Sequence, residues 1–379
     1  MANMGRRMIQ ANIIDLFSGV GGLSLGAARA GFNVVCAVDS DDEAIAAHAQ
    51  NFPLAIHVNA DISKTNWNQI SSVASIQDGQ LAGIVGGPPC QGFSCIGNNN
   101  YKDPRNKLFV DFFRIVAEAM PAFYIAENVP GILKSSNKSI IERALKQIPN
   151  VYTQLDPITL CARDYGAPTT RTRVFFIGYN RSKMKEIQSS DIQPPADVEI
   201  VRVREALRAL PSKINPEWQS EEQGWRVVRF KGNGHFSSRV QGYIPKGVGN
   251  ARAIDRLATE GRVSGCLGTI HTEDVLKRFS KVRPGGKDPI SRCYRLKEDG
   301  FCPTIRAGTG FDRGRHQAIR PLHPRENRVI TPREAARLQG FPDWFVFSPT
   351  KWHSFRQIGS SVSPLLAEHI LKVMRAALL

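Results

Sequence analysis

The first 180 residues alternate short apolar runs with helix-like segments, and this alternation constrains the possible folds more than any other feature. β-branched and other apolar residues predict strands at 12–17, 33–38, 81–85, 123–126 and 174–178. Composition and helical periodicity predict helices between them at 23–30, 42–50 and 106–120. This strand–helix rhythm predicts an α/β fold with a doubly wound, mostly parallel, Rossmann-like sheet that carries helices on both faces.

The alternation ends near residue 180, where scattered Gly and Pro, short runs and frequent Arg replace it. We therefore predict that residues 183–352 form a smaller, irregular domain. The stretch 364–379 is again helical and apolar enough to pack, which indicates that the chain returns to its first domain. The predicted organisation is a first domain at 1–182, completed by residues 353–379, and a second domain at 183–352.

The basic residues are concentrated in the second half of the chain. Residues 1–182 contain 16 Lys and Arg against 14 Asp and Glu, whereas residues 183–379 contain 34 against 20. This asymmetry predicts that the first part binds a small cofactor and that the second binds a polyanion. Nucleic acid is favoured over the alternative of a merely solubilising surface, because that alternative does not explain the asymmetry.

Cysteine spacing and hydropathy argue against several other classes of protein. The seven cysteines are an odd number and include no CxxC pair, so a disulfide framework and a metal site are both poorly supported. No apolar run is long enough to span a bilayer, and the basic N-terminus is followed by a strand pattern rather than a signal-peptide core. We therefore expect a cytoplasmic protein that binds neither metal nor membrane.

A glycine-rich turn between the first strand and the first helix predicts a ligand site. Gly19 and Gly21 let the backbone approach a ligand closely, and Asp39 ends the next strand, where its carboxylate can accept from both ribose hydroxyls. Ser24 stands where a dinucleotide fingerprint has its third glycine, so a ligand without pyrophosphate is favoured; a tight structural turn remains the alternative. Asp61, after a third strand pattern, could accept from an adenine amino group.

Cys90 is placed in a way that a structural cysteine rarely needs. Two prolines precede it at the end of a buried strand, and a loop with Gly and Asn follows it. A partly exposed thiol near free backbone N–H groups is stabilised as a thiolate, the nucleophilic form. Glu127 ends the next strand, so in a parallel sheet both side chains reach one crevice. This pair suits attack on an electron-poor ring whose nitrogen is protonated or hydrogen-bonded.

Two arginines stand before the predicted strand at 174–178. Arg171 and Arg173 lie on the same side of an extended chain, which suits contact with a carbonyl oxygen or a phosphate. An isolated pair of arginines is usually part of a solvent-exposed surface, so a binding role for Arg171 and Arg173 depends on the other motifs.

These motifs, in this order, resemble the conserved blocks of the cytosine-5 DNA methyltransferase family, in particular its bacterial restriction-modification members. The resemblance covers residues 10–182 and 300–379. Its most specific parts are PPCQ at 88–91, ENV at 127–129 and REAARLQGFP at 333–342. The longer stretch RVITPREAARLQGFP at 328–342 is similar to the block after the recognition region, and QIGSSVSP at 357–364 resembles the last block.

The resemblance implies a role for each matching residue. In the catalytic set, Cys90 would add to C6 of cytosine, Glu127 would hold N3 and Arg173 would hold O2. Arg171 and Ser94 would support the loop and the phosphate beside the extruded base. The cofactor would be S-adenosyl-L-methionine, bound by Phe17, Gly19, Gly21, Leu23, Asp39, Ser40, Asp61, Ile62, Pro88, Ser361 and Val362. The predicted DNA contacts are Ser94, Arg105, Arg229 and Arg306.

The resemblance also assigns the two predicted domains. The domain at 1–182 with 353–379 would be catalytic and cofactor-binding, and 183–352 would recognise the DNA target. The chain departs from the family at Thr169, where Gln is common, at Ser360, where Asn is usual, and at Asp39, where Glu is frequent. None of these departures removes a reacting group, so we expect activity.

Three alternatives concern the substrate or the activity. A tRNA-acting branch resembles the same blocks but has a smaller recognition segment. A catalytically silent DNA-binding homologue would not need the three reacting side chains, and a nucleotide-dependent oxidoreductase accounts only for the glycine-rich turn. The favoured prediction is a monomer that flips a cytosine out of double-stranded DNA in the bacterial nucleoid. A restriction endonuclease that acts on the same site is a plausible partner.

Overall fold

The structure is a computed structural model that describes residues 11–77, 80–89, 106–228, 234–308 and 320–379. The strands of its main sheet are β1 (Asn12–Leu16), β2 (Asn33–Asp39), β3 (Ile56–Asn59), β4 (Leu81–Gly86), β5 (Phe123–Asn128), β6 (Tyr152–Gln154), β7 (Ile158–Cys161) and β8 (Thr172–Asn180). Two short strands, β9 (Arg226–Val227) and β10 (Arg262–Val263), form a separate antiparallel pair. The helices are α1 (Gly22–Arg29), α2 (Asp42–Asn51), α3 (Trp67–Ala74), α4 (Asn106–Ala119), α5 (Lys138–Leu145), α6 (Val203–Leu207), α7 (His235–Gln241), α8 (Ala251–Glu260), α9 (Glu273–Ser280), α10 (Pro332–Gln339), α11 (Lys351–Ser360) and α12 (Pro364–Ala377).

The main sheet has the strand order β3-β2-β1-β4-β5-β8-β6, and β7 also pairs with β8. Strands β1 to β5 are parallel, whereas β8 runs antiparallel to β5, β6 and β7. The chain leaves β1 toward one edge and later returns to its other side through β4. Ligands of open α/β sheets bind at such a switch point, outside the carboxyl ends of the strands.

Helices cover both faces of the sheet. On one face, Ile13 and Phe123 pack against α1 and α12; on the other, Ile84 packs against the aromatic residues of α4. Helices α1 and α12 are in close contact, since a Cβ on Gly26 would lie 2.4 Å from the Cβ of Ala367. The returning C-terminal helix is therefore part of the first core.

Local sequence explains where several helices begin. Asp41 caps α2 by accepting from the backbone N–H of Ala44, and α10 begins with a capping box between Thr331 and Glu334. Pro364 occupies the first turn of α12, where a proline loses no intrahelical hydrogen bond.

A third apolar cluster joins the early and late parts of the chain. Val20 and Phe52 share it with Phe341 and Trp344, which follow α10. Residues after 182 also enter the first core, because Met184 packs with the residues of α12. The packed core therefore crosses both predicted domain boundaries, at 182 and at 352.

The predicted α/β fold with a mostly parallel sheet is confirmed, and each predicted strand and helix appears with shifts of one or two residues at its ends. In the described ranges no helix is both long and apolar enough to cross a membrane. Nor do the described side chains contain a group of three or more His, Cys, Asp or Glu suited to a metal ion.

Candidate active site

The glycine-rich turn after β1 adopts backbone conformations that favour glycine. Gly19 and Gly21 have φ values of +55° and +100°, and Phe17 before them has a φ of +57°. A Cβ on Gly21 would lie 2.5 Å from the ring of Phe52, whereas a Cβ on Gly19 would meet nothing within 4 Å. The turn is thus packed on one side and open on the other, where a ligand can approach its backbone.

Asp39 connects this turn to the end of β2. Its Oδ2 accepts from the backbone N–H of Gly19 at 2.8 Å, and its Oδ1 accepts from that of Asp41 at 3.0 Å. Burial raises the pKa of Asp39. Each carboxylate oxygen retains a second lone pair, so the ordered side chain can still accept from a pair of hydroxyls. Ser40, the next residue, is exposed.

Other predicted cofactor residues lie along the same edge of the sheet. The backbone N–H of Ala60 donates to the carbonyl oxygen of Asp39, which holds the segment after β3 beside it. Asp61 is exposed and accepts from the backbone N–H of Ser63, while Ile62 is buried. Pro88 follows β4, which pairs with β1 on the side opposite to β2. Leu23 differs from these residues, because its side chain is buried in the core of the first face.

The segment between α11 and α12 lies against the start of α1. A Cβ on Gly22 would be 2.4 Å from the carbonyl oxygen of Val362, and Gln339 donates to the carbonyl oxygen of Ser361 at 2.9 Å. Residues separated by more than 300 positions in sequence therefore meet at the glycine-rich turn.

A buried polar chain that the sequence motifs do not reveal lies behind the turn. Asp15, within β1, accepts from both the backbone N–H and the hydroxyl of Ser24, the latter at 2.6 Å. The hydroxyl of Ser24 also contacts Nε2 of His48 at 3.0 Å, and Nδ1 of His48 contacts Nε2 of His57 at 2.9 Å. Burial raises the pKa of Asp15 to about 7, and the Asp39 carboxylate adds to this rise. One sequence feature that could have indicated this polar chain is an acidic residue, Asp15, within the otherwise apolar strand β1.

The carboxylate of Glu127 lies where β4, β5 and β8 meet. Its Oε1 is 2.6 Å from Nε of Arg173, and a Cβ on Gly87 would lie 3.3 Å from its Oε2. Asn128 donates to the carbonyl oxygen of Pro88 at 3.2 Å, which links the ends of β4 and β5. The structure thus brings the predicted Glu127 and Arg173 together, next to the segment that leads to residue 90.

Arg171 has a different environment from Arg173. Its guanidinium is buried and donates to the carbonyl oxygens of Ile305 at 3.2 Å, Gly359 at 2.9 Å and Ser360 at 3.1 Å. The two guanidinium groups, predicted to lie on one side of the chain, therefore bind different partners. Arg171 connects the start of β8 with the late segments of the chain.

Thr169 and Ser360, two positions at which the chain departs from the family it resembles, lie near the segments that Arg171 connects. Both side chains form hydrogen bonds with nearby backbone groups. Thr169 is buried, and its hydroxyl donates to the carbonyl oxygen of Cys302 at 3.0 Å. The hydroxyl of Ser360 donates to the carbonyl oxygen of Gln357 at 3.2 Å. Both side chains are thus accommodated by backbone carbonyls.

Four predicted site residues lie outside the described residues, namely Cys90, Ser94, Arg105 and Arg229. Arg306, another predicted DNA contact, is described and is exposed. Its backbone lies against Gly359, where a Cβ would be 2.5 Å from the carbonyl carbon of Arg306. Arg306 therefore lies next to the backbone groups of Ile305 and Gly359 that accept hydrogen bonds from Arg171.

Most residues of the block at 328–342 are buried, and its arginines form hydrogen bonds that stabilise the fold. Arg333 donates to the backbone of Ser264, Pro342 and Phe345. Arg337 binds both carboxylate oxygens of Asp343, at 2.8 and 2.7 Å, and also donates to carbonyl oxygens of the α6 region. These two arginines connect α10 with the backbone at 206–208, at 264 and at 342–345.

Comparisons with known proteins agree on the family of this chain. The family described as C-5 cytosine-specific DNA methylase matches residues 11–376. Type II methyltransferase M.XorII of Xanthomonas oryzae pv. oryzae is 37% identical over 374 residues, covering 96% of this chain and 85% of that relative. Type II methyltransferase M.DdeI of Desulfomicrobium norvegicum is 33% identical over 377 residues, covering 94% and 86%.

Solved structures agree as well. A crystal structure of an E. coli prophage protein assigned as a DNA modification methyltransferase superposes with a TM-score of 0.86 at 46% identity, covering 97% of this chain and 99% of that one. The S. pombe Dnmt2 methyltransferase superposes with a TM-score of 0.62 at 17% identity, covering 97% and 98%, which shows a shared fold. The chain belongs to the C-5 cytosine-specific DNA methylase family and is a DNA (cytosine-5)-methyltransferase.

Proposed function

We propose that this enzyme uses S-adenosyl-L-methionine to methylate C5 of a flipped-out cytosine in a specific duplex sequence, through a covalent adduct between Cys90 and C6. The observation that carries this proposal is the Glu127–Arg173 pair at 2.6 Å, beside the Gly87–Pro88 segment that leads to Cys90. A carboxyl group and a guanidinium at one crevice match the N3 and O2 edge of cytosine.

The open side of the glycine-rich turn fits the proposed cofactor. Gly19 leaves room for close approach, and the Asp39 carboxylate is held by two backbone N–H groups with lone pairs to spare for ribose hydroxyls. Asp61 would accept from the adenine amino group, and Ser361 and Val362 would complete the site next to α1. When bound, the cofactor supplies an electrophilic methyl group.

The chain's own residues would make C5 nucleophilic. The Cys90 thiolate forms a bond to C6, and the electron pair of the C5–C6 double bond moves toward C5. Glu127 at N3 and Arg173 at O2 stabilise the charge that develops on the ring, because they are already oriented in a site shielded from water. After methylation, loss of the C5 proton and cleavage of the Sγ–C6 bond restore the double bond and free the enzyme.

The target must leave the duplex before these groups can reach it. Base flipping costs a few kcal/mol, which contacts from the basic second half would offset. The type II relatives support the proposal that the enzyme protects a restriction site, with an endonuclease that cleaves the same sequence. We propose that it acts as a monomer on nucleoid DNA, in the bacterial cytoplasm.

The reaction can be tested by transfer of a labelled methyl group. We expect the wild-type enzyme to label duplex DNA and not tRNA, and Cys90→Ala to lose transfer. Cys161→Ala is the matched control, since this thiol is partly exposed and lies at the end of β7. Retained transfer in Cys90→Ala contradicts the nucleophile, and preferential labelling of tRNA contradicts the substrate. Bisulfite sequencing of DNA from expressing cells identifies the sequence context.

A further inference from the structure

A short hairpin in the second half of the chain presents one apolar side chain to solvent. Its two arms are joined by backbone hydrogen bonds from Arg295 to Gly286 and from Asp288 to Cys293, each at 2.9 Å. Ile290, at the tip, is 72% exposed. We refer to residues 286–295 as the tip hairpin.

The tip is held rigidly by a buried acid. Asp288 is fully buried, and its Oδ2 accepts from both the backbone N–H and the hydroxyl of Ser291 at 2.6 Å. Its Oδ1 accepts from Arg278 of α9 at 2.7 Å. The backbone N–H of Arg292 closes the turn on the carbonyl oxygen of Asp288, and Arg292 has a φ of +61°. Such an ordered turn exposes Ile290 in a defined position.

The base of the tip hairpin is equally well anchored. The guanidinium of Arg295 is buried and donates to the carbonyl oxygens of His323, Glu326 and Phe279. Cys293 packs beside it in a small apolar cluster. The exposed isoleucine therefore stands on a rigid support rather than on a loose loop.

Four exposed cations lie within the tip hairpin or shortly before it in sequence. Lys281, Arg283, Lys287 and Arg292 are exposed, and none of them forms an ion pair with an acid in the described part of the chain. An apolar tip flanked by exposed positive charge is complementary to a nucleic-acid groove, where phosphates border the base edges.

The hairpin is also tied to the active site by the chain that leaves it. Leu296 pairs with Leu322, and Cys302 pairs with Thr169 beside Arg171. The seven steps from Arg295 to Cys302 span at most about 24 Å. One turn of a DNA duplex is about 34 Å, so the hairpin stays within reach of the same duplex that holds the reacting base.

We propose that the tip hairpin reads the DNA target, with Ile290 in apolar contact with a base edge in the groove and Lys287 and Arg292 on the flanking phosphates. This inference rests on the proposed function, because it needs duplex DNA as the substrate. It assigns a specificity-determining residue in a region that no sequence motif identified.

The test measures binding to two short duplexes, one with the context found by bisulfite sequencing and one with that context scrambled. Ile290→Ala is expected to weaken binding to the target duplex about tenfold, with little change on the scrambled duplex. Lys287→Ala is expected to weaken both and to lower the slope of log affinity against log salt by about one. Val73→Ala is the matched control, since Val73 is 55% exposed on α3.

Two further measurements keep the outcome decisive. Ile290→Val should restore most of the affinity, and a photo-cross-linking amino acid at position 290, but not at 73, should cross-link to the target duplex. Unchanged target binding by Ile290→Ala, equal weakening on both duplexes, or no cross-link at 290 overturns the inference. If the wild type methylates DNA normally in that case, only the hairpin assignment fails. If the wild type neither binds nor methylates DNA, the proposed function itself fails.

Discussion

At the scale of single residues, the environment of Glu127 is the most informative. The side chain is buried, paired with Arg173 and adjacent to the backbone of Gly87. Three strand ends therefore cooperate to hold one carboxylate in a fixed orientation. A group that must stabilise charge on a ring benefits from such preorganisation, because no reorganisation is needed during the reaction.

Substitution of this carboxylate should reduce chemistry without abolishing DNA binding. We expect Glu127→Gln to lower the rate of methyl transfer by about 10²–10³-fold, the size of effect seen when one stabilising group is removed. The affinity for DNA should change far less. Glu142→Gln, at an exposed i,i+4 pair on α5, is the control for a surface glutamate. Equal rates for both variants in single-turnover assays contradict the proposed role.

The buried Asp15 leads to a prediction about pH. Its pKa is raised by burial from 3.8 to about 7, so the folded protein binds a proton at this site more tightly than the unfolded chain. The folded state is therefore favoured at low pH by this group, and that contribution is lost as pH rises toward and through 7. Asp15→Asn keeps an oxygen that can accept from Ser24 but does not titrate.

We accordingly expect the free energy of unfolding of Asp15→Asn, relative to wild type, to increase between pH 5 and pH 8. Urea unfolding at several pH values measures this difference, and His48, His57 and Asp39 titrate in both proteins. A difference that is independent of pH, or that falls as pH rises, contradicts the assignment.

At the scale of secondary-structure elements, the sequence predicts those strands and helices that have a recognisable local pattern of apolar residues. The strands around β1, β2, β4 and β5 are apolar runs that stop at Gly, Pro or acids, and this pattern needs no partner to be recognised. In the second half, strands β9 and β10 have two residues each and helices α6, α7, α9 and α10 have five to eight, which is too few for a period to show. The antiparallel direction of β8 depends on its pairing with β5, which local sequence does not contain.

Helix α10 shows how a conserved-looking block can serve structure. Arg337 and Asp343 form a fully buried ion pair, and Arg337 also binds carbonyl oxygens near α6. Arg337→Met leaves the Asp343 carboxylate buried without its partner, so we expect a loss of about 3–5 kcal/mol in the free energy of unfolding.

A partly exposed ion pair provides the comparison for this variant. Arg356→Met, which removes the pair with Asp41, should cost about 1 kcal/mol or less. Urea unfolding at neutral pH compares the two variants, and similar losses would show that the α10 ion pair has no special structural role. The double variant Arg337→Met/Asp343→Leu should recover part of the loss, because it also removes the unpaired charge.

At the scale of the whole molecule, the site is assembled from distant segments. The sequence motifs single out Asp39, Glu127 and Arg173. The parallel strands β2 and β5 place Asp39 and Glu127 at the same edge of the sheet, and Arg173, near the start of the antiparallel β8, meets Glu127 there. The motifs do not show that Arg171 turns toward Gly359, because that contact depends on how the C-terminal segment returns. The same return brings Val362 onto α1, so the cofactor edge and the C-terminal helix form one unit.

The central claim is that Cys90 attacks C6 of the target cytosine. It is tested most directly by a duplex that carries 5-fluorocytosine at the target, because fluorine blocks loss of the C5 substituent and traps the adduct. With S-adenosyl-L-methionine present, we predict a denaturation-stable complex whose protein peptide is modified at Cys90, and no complex with Cys90→Ala. An adduct on another residue, or a complex that persists in Cys90→Ala, would contradict the account.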